Sequence, residues 1–113
     1  MGGGRSQLAD VVVHTLDIAV PLGIPVDRPA EHWLQTLDWL VGPKARRGFV
    51  RRGQPEVDLV ADDVDWASGE GPVVHGPAGA LALALCGRTA QLHLLSGPGA
   101  LAFAAWASGE PGE

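Results

Sequence analysis

Asp10, His14 and Asp17 interrupt a strongly apolar stretch, LADVVVHTLDIAVPLG, at offsets of four and three residues. On a helix those offsets stack side chains on one face, about 5–6 Å apart at Cβ. A carboxylate and an imidazole placed this way can bind a divalent cation as a two-ligand half-site. Zinc sites that keep an open position use three protein ligands, and one helix can present two of them. The same pattern also describes a polar stripe wetting one side of an ordinary helix, and the spacing leaves both roles open. Asp17 either accepts a hydrogen bond from His14 and so orients the ring, or stands solvated at the helix end.

The other groups capable of chemistry are scattered. His32, His75 and His93 could each supply a third ligand if the fold brought them near, but their spacing reads as solvated or hydrogen-bonded histidine. Cys86, in LALALCGR, is the single cysteine; the expected role is a small buried hydrophobe rather than a reactive thiol. Arg88 follows at the end of the same apolar run, where a cation meets the C-terminal dipole of a helix favourably. Asp62, Asp63 and Asp65 crowd before Trp66. Neighbours on a strand point to opposite faces, which argues against a catalytic dyad of Asp62 and Asp63. Asp63 and Asp65 read as structural or solvated, and Trp66 as packing. GPAGA and SGPGA lack the lysine of a phosphate loop and read as turns.

These residues need elements to position them, and 113 residues suit one domain. Hydrophobic residues make up 46%, enough for a core. The 16 glycines and nine prolines fall mostly between apolar runs, as short elements require. Formal net charge is −5, with the basic residues gathered mainly in KARRGFVRR, so a nucleic-acid backbone is not the expected partner. One cysteine excludes an intrachain disulfide and a multi-thiolate zinc site. The apolar runs are too short to span a bilayer and MGGGRSQ is no signal sequence, so the cytoplasm is the expected location and no membrane partner is expected.

Along the chain, residues 5–20 read as a helix ended by PLGIPVDRP. A second helix should run from near Pro29 to Val41, with Leu34, Leu37, Leu40 and Val41 at helical spacing, followed by a basic loop to about Glu56. The period then changes. Val57, Leu59 and Ala61 alternate with Asp58, Val60 and Asp62 as a strand, ASGEGP reads as a turn, and VVH as a short pairing strand. A helix should open at Gly76-Pro77 and run to about Cys86, capped by Gly87. TAQLHLLSGPG reads as a helical turn with a loop, and ALAFAAW as a last apolar element. The order helix, helix, strand pair, helix predicts an α+β fold.

The segments LADVVVHTLDIAVPLGIP, VADDVDWASGEGPVVHGPAGALALALCGR and LSGPGALAF, in that order, resemble the second half of the mycothiol-dependent maleylpyruvate isomerase family of actinobacteria. The resemblance runs from about Arg5 to Trp106. It implies that residues 1–22 are the last helix of a truncated DinB-like metal-binding bundle. Residues 23–113 would then form the smaller C-terminal α+β domain, somewhat like sterol carrier proteins. Family members hold a divalent metal, usually zinc, with a histidine on an early helix plus a carboxylate and a histidine four residues apart on the last bundle helix. Asp10 and His14 fall on that last pair, with aspartate one methylene shorter than the glutamate of the isomerases. An arginine from the C-terminal domain reaches the metal cleft in the family, and Arg88 is the candidate here.

The implied activity is thiol-dependent isomerisation or transfer on a small-molecule electrophile. Metal and mycothiol are both implied by the resemblance alone. The helices carrying the first histidine would precede residue 1, so the chain is expected to be incomplete as a catalyst on its own. The alternative is a non-catalytic interaction module. Its Val11–Val20 helix face would then stand exposed, and the chain would self-associate or pair with a separate N-terminal half.

Overall fold

The computed structural model describes residues 5–48, 50 and 52–109. The chain begins with α1 (Arg5–Ala19), α2 (Ala30–Leu40) and the short α3 (Pro43–Gly48). Three strands follow: β1 (Asp58–Ala61), β2 (Ala67–Ser68) and β3 (Val73–Gly76). Then come α4 (Ala78–Leu85), a 3-10 turn at Leu92–Leu94, and α5 (Ala100–Ala107). The fold is α+β, and its radius of gyration is 13.0 Å, close to the ~13 Å of a compact 100-residue chain.

The helix predicted over 5–20 is α1, despite three consecutive valines of weak helix propensity. Packing overrides propensity: Ala9, Val12, Val13, Leu16 and Ala19 are buried on one face against α2 and α4. Most of the valine-rich face is therefore covered, contrary to the expectation that it stands open. Val11 and Ile18 alone on this helix carry large exposed hydrophobic side chains, at 51% and 67%. In α2 the buried positions are Trp33, Thr36, Leu37 and Leu40, one helical stripe. Thr36 is fully buried, and its hydroxyl makes no hydrogen bond.

Two local expectations need correction. Part of the basic loop folds as α3, where Pro43 occupies the first position; a proline there gives up only an amide proton that the helix leaves unpaired anyway. ASGEGP is not wholly a turn: Ala67 and Ser68 form β2, antiparallel to β1. Two glycines then let the chain return tightly under positive φ, +103° at Gly69 and +125° at Gly71.

The sheet order is β2-β1-β3, with β1 and β3 parallel in the register Leu59 to Val74 and Val60 to His75. Val57, Leu59, Ala61 and Val74 point into the core, as the alternating pattern predicts. Behind this face lies α4, whose Ala78 and Ala80–Leu85 are all buried, the property of a helix that is hydrophobic all round. Its C-terminus closes as a Schellman motif: Gly87, at φ +76°, donates to Ala84 O, and the Arg88 amide donates to Leu83 O. This cap fixes the direction in which Arg88 leaves the helix. Helix α5 packs on β3 and α4 through Phe103, Trp106 and Ala107. Val12 and Leu16 of α1 belong to the same hydrophobic core as these elements.

Candidate functional site

Burying one face of α1 turns Asp10, His14 and Asp17 outward along the opposite side. Asp10 Oδ1 lies 3.1 Å from His14 Nε2, with the side chains 57% and 63% exposed. The i,i+4 spacing on the helix brings the two groups together, and an exposed pair of this kind contributes at most about 1 kcal/mol to stability. Two ligands at about 2.0–2.1 Å from a tetrahedral zinc ion stand a little over 3 Å apart. At 3.1 Å the two atoms are in direct hydrogen-bond or ion-pair contact, a separation close to that bite, so the donor types and spacing fit two ligands of the ion. Among the described residues, no group of three histidine, cysteine, aspartate or glutamate side chains could hold a metal ion. Among the described residues the Asp10–His14 pair would supply two ligands.

Asp17 neither orients His14 nor stands free. Its carboxylate is engaged by Arg88, 71 residues away in the chain: Nε lies 3.3 and 3.4 Å from the two carboxylate oxygens, and Nη2 lies 3.2 Å from Oδ2. Nη1 donates to the Cys86 carbonyl at 2.9 Å, the helix-end contact expected of a cation at this position. Its hydrogen bonds to the Asp17 carboxylate raise the Arg88 pKa further, so the guanidinium stays charged. The polar stripe of α1 thus ends in an ion pair that ties it to the end of α4.

Cys86 sits beside this pair, half-buried and free. Burial pushes its thiol up to about 11; the positive charge of Arg88 opposes that shift, and Asp17 adds to it. A thiol held neutral in this way is not a nucleophile at neutral pH, which agrees with the packing role read from the sequence.

The remaining histidines do not converge on α1's stripe. His32 Nδ1, in α2's first turn, meets Nη1 of Arg28 just before the helix at 3.2 Å, His75 Nδ1 meets Asp62 Oδ2 at 3.3 Å, and His93 is exposed in the 3-10 turn. The acidic cluster before Trp66 divides its roles. Strand β1 ends at Ala61, so the opposite-face argument for Asp62 and Asp63 does not apply. Asp62 is instead paired with His75. Asp63 accepts the amide N–H of Ala78 at 2.8 Å, satisfying a free donor in α4's first turn. Trp66 is buried, with its indole N–H on Asp38 Oδ1 at 2.8 Å.

The chain also has a hollow of about 370 Å³, lined by Leu16, Val20, Trp33 and Gly79 with Asp63 and Gln91 at polar positions. Sequence reasoning did not find it, because its lining comes from α1, α2, α4 and three connecting segments. No protein-family model, no curated protein and no solved structure matches this chain.

Proposed function

We propose that the chain is the C-terminal part of a maleylpyruvate isomerase-like, thiol-dependent metalloenzyme. A DinB-like origin for α1 and a sterol-carrier-like character for the domain after it belong to the same proposal. The observation that carries it is the approach of Asp10 Oδ1 to His14 Nε2 at 3.1 Å on an exposed helix face, with Arg88 held on the next turn of that face.

Asp10 and His14 would hold a divalent metal, zinc first, with further ligands supplied from outside the described residues. Bound zinc supplies Lewis acidity that lowers the pKa of a coordinated thiol such as that of mycothiol. Arg88 supplies a permanent positive charge for a carboxylate of the electrophile. Asp17 offsets that charge while no ligand is present. On this reading the chain binds and orients but does not complete the reaction alone.

The test is zinc titration of the full chain beside His14→Ala. Saturable zinc binding, weakened at least tenfold in the variant, is expected. Indistinguishable binding by the two proteins would remove Asp10 and His14 as ligands and sink the proposal.

A second reading, a non-catalytic module that associates through α1, is favoured by a different observation. Val11, Ile18, Leu22 and Ile24 are each more than half exposed, on or just beyond α1. Such a cluster on a small domain marks an interaction surface. It predicts a mass above the monomer by light scattering at micromolar concentration; a monomeric profile counts against it.

A further inference from the structure

We infer that the hollow between α1, α2 and the start of α4 is a binding site for a small primary ammonium ion with an aromatic or branched aliphatic body, its charge held by the Asp63 carboxylate. None of Asp10, His14 and Arg88 lines this hollow. The site is therefore independent of the proposed metal chemistry.

The hollow holds about 370 Å³, inside the range of roughly 300–1,000 Å³ typical of small-molecule pockets. Its apolar lining comes from Leu16 of α1, Trp33 of α2, and Val20, Ile24 and Val26 of the segment that joins them. Gly79 of α4 completes it. A Cβ built on Gly79 would meet Leu16 Cδ2 and Trp33 Cη2, each at 3.6 Å, so the side chain that Gly79 lacks is space between two walls.

The rim is built before any ligand arrives. After α1 the chain closes as a Schellman motif: Gly23, at φ +70°, donates to Val20 O at 3.0 Å, and the Ile24 amide donates to Ala19 O at 3.0 Å. These bonds fix Ile24 beside the hollow, and its side chain is still 54% exposed. An apolar body seated there takes that surface out of water, which favours binding in proportion to the area covered.

Among the described residues that line the hollow, Asp63 is the one that carries a charge. Its Oδ1 accepts the Ala78 amide at 2.8 Å, which holds the carboxylate in place, and Oδ2 has no partner among the described residues. An ammonium group has three donors and no acceptor, so one donor can go to Oδ2 and another to the side-chain oxygen of Gln91, which also lines the hollow. The N-terminus of α4 brings about half a positive charge to the same place. That is less than the full charge of the carboxylate, so the local field stays negative. The net charge of −5 acts in the same direction, drawing a cation in and repelling an anion of the same shape.

The test is titration of the full chain near neutral pH with phenethylammonium chloride, followed by NMR at the backbone amides of Gly23, Gly79 and Gln91. Sodium hydrocinnamate, the same kind of body carrying a carboxylate, is titrated in parallel. Saturable shifts at all three amides are expected with phenethylammonium, and at least fivefold weaker binding with hydrocinnamate. Asp63→Asn keeps an oxygen for the Ala78 amide and removes the charge. It should weaken phenethylammonium at least fivefold while hydrocinnamate binds as before or better. Gly79→Ala puts a methyl group into the hollow and should weaken both probes at least threefold. A thermal melt confirms that each variant is folded.

No saturable shift in the wild-type chain overturns the site. Equal affinity for the two probes, or phenethylammonium binding unchanged in Asp63→Asn, overturns the role of Asp63 and with it the choice of a cation. Shifts at the same amides that follow protein concentration without any probe would mean that a second copy covers the hollow, and would also overturn the proposal.

Discussion

Phe103→Ala is expected to lower the free energy of unfolding by about 3–5 kcal/mol. The ring is fully buried, and it stacks on Trp106 with centroids 5.5 Å apart and planes 29° apart. It is also the main apolar anchor of α5 on β3 and α4, so removing it leaves a void that two secondary elements would have to close. Small domains are stable by about 5–15 kcal/mol, and a loss of this size takes a large share of that reserve. Leu101, two residues earlier, is 85% exposed, and Leu101→Ala should change stability by no more than about 0.5 kcal/mol. Urea unfolding of both variants is the measurement, with equal slopes confirming that only stability has changed. Similar midpoints for the two would mean that α5 does not pack as described.

Gly97→Ala should be nearly as damaging, for a backbone reason. Gly97 has φ +109°, and a Cβ built there would lie 2.4 Å from the Val73 carbonyl oxygen. That oxygen cannot step aside freely, because it accepts the Gly99 amide at 2.9 Å. The neighbouring residue, Ser96, exchanges two backbone hydrogen bonds of 2.9 Å with His75, and the Gly97 carbonyl accepts the Ala100 amide at the start of α5. The expected cost is about 1–3 kcal/mol of backbone strain, plus about 1 kcal/mol for each of these bonds that is lost. Gly23→Ala supplies the contrast. Its φ is +70° and nothing lies within 4 Å of a new Cβ, so only the left-handed penalty of about 1–2 kcal/mol applies. Hydrogen exchange at the Ser96 amide should accelerate in Gly97→Ala and not in Gly23→Ala; equal protection in all three proteins would refute the account.

What could be read from the sequence was what local pattern dictates. Period-2 alternation over Val57–Ala61 and the Gly76-Pro77 opening of α4 both appear where local chemistry places them. What could not be read depends on distant partners. Nothing near Asp17 signals Arg88, 71 residues away, and nothing near Asp63 signals the α4 amide it caps. Strand β2 has two residues, too few to show any period, and exists because β1 offers it an edge. Thr36 lies in the buried stripe of α2, where the sequence suggested Leu34; the side of the helix that faces α4 decides this, and not hydropathy. Of the candidate site, the Asp10–His14 approach was legible from a spacing of four, and the state of Arg88 was not.

The sheet also constrains how copies of this chain can meet. One of its edges is β2, only two residues long, and the other is β3, where Ser96 pairs with His75 and takes up that residue's free backbone groups. An incoming strand needs a row of unpaired amides and carbonyls as a template, and neither edge offers one of useful length. Among the described residues, strand addition is therefore disfavoured at both edges of the sheet. Contacts between copies of this chain would then be made by side chains of its helices and loops rather than by strand pairing.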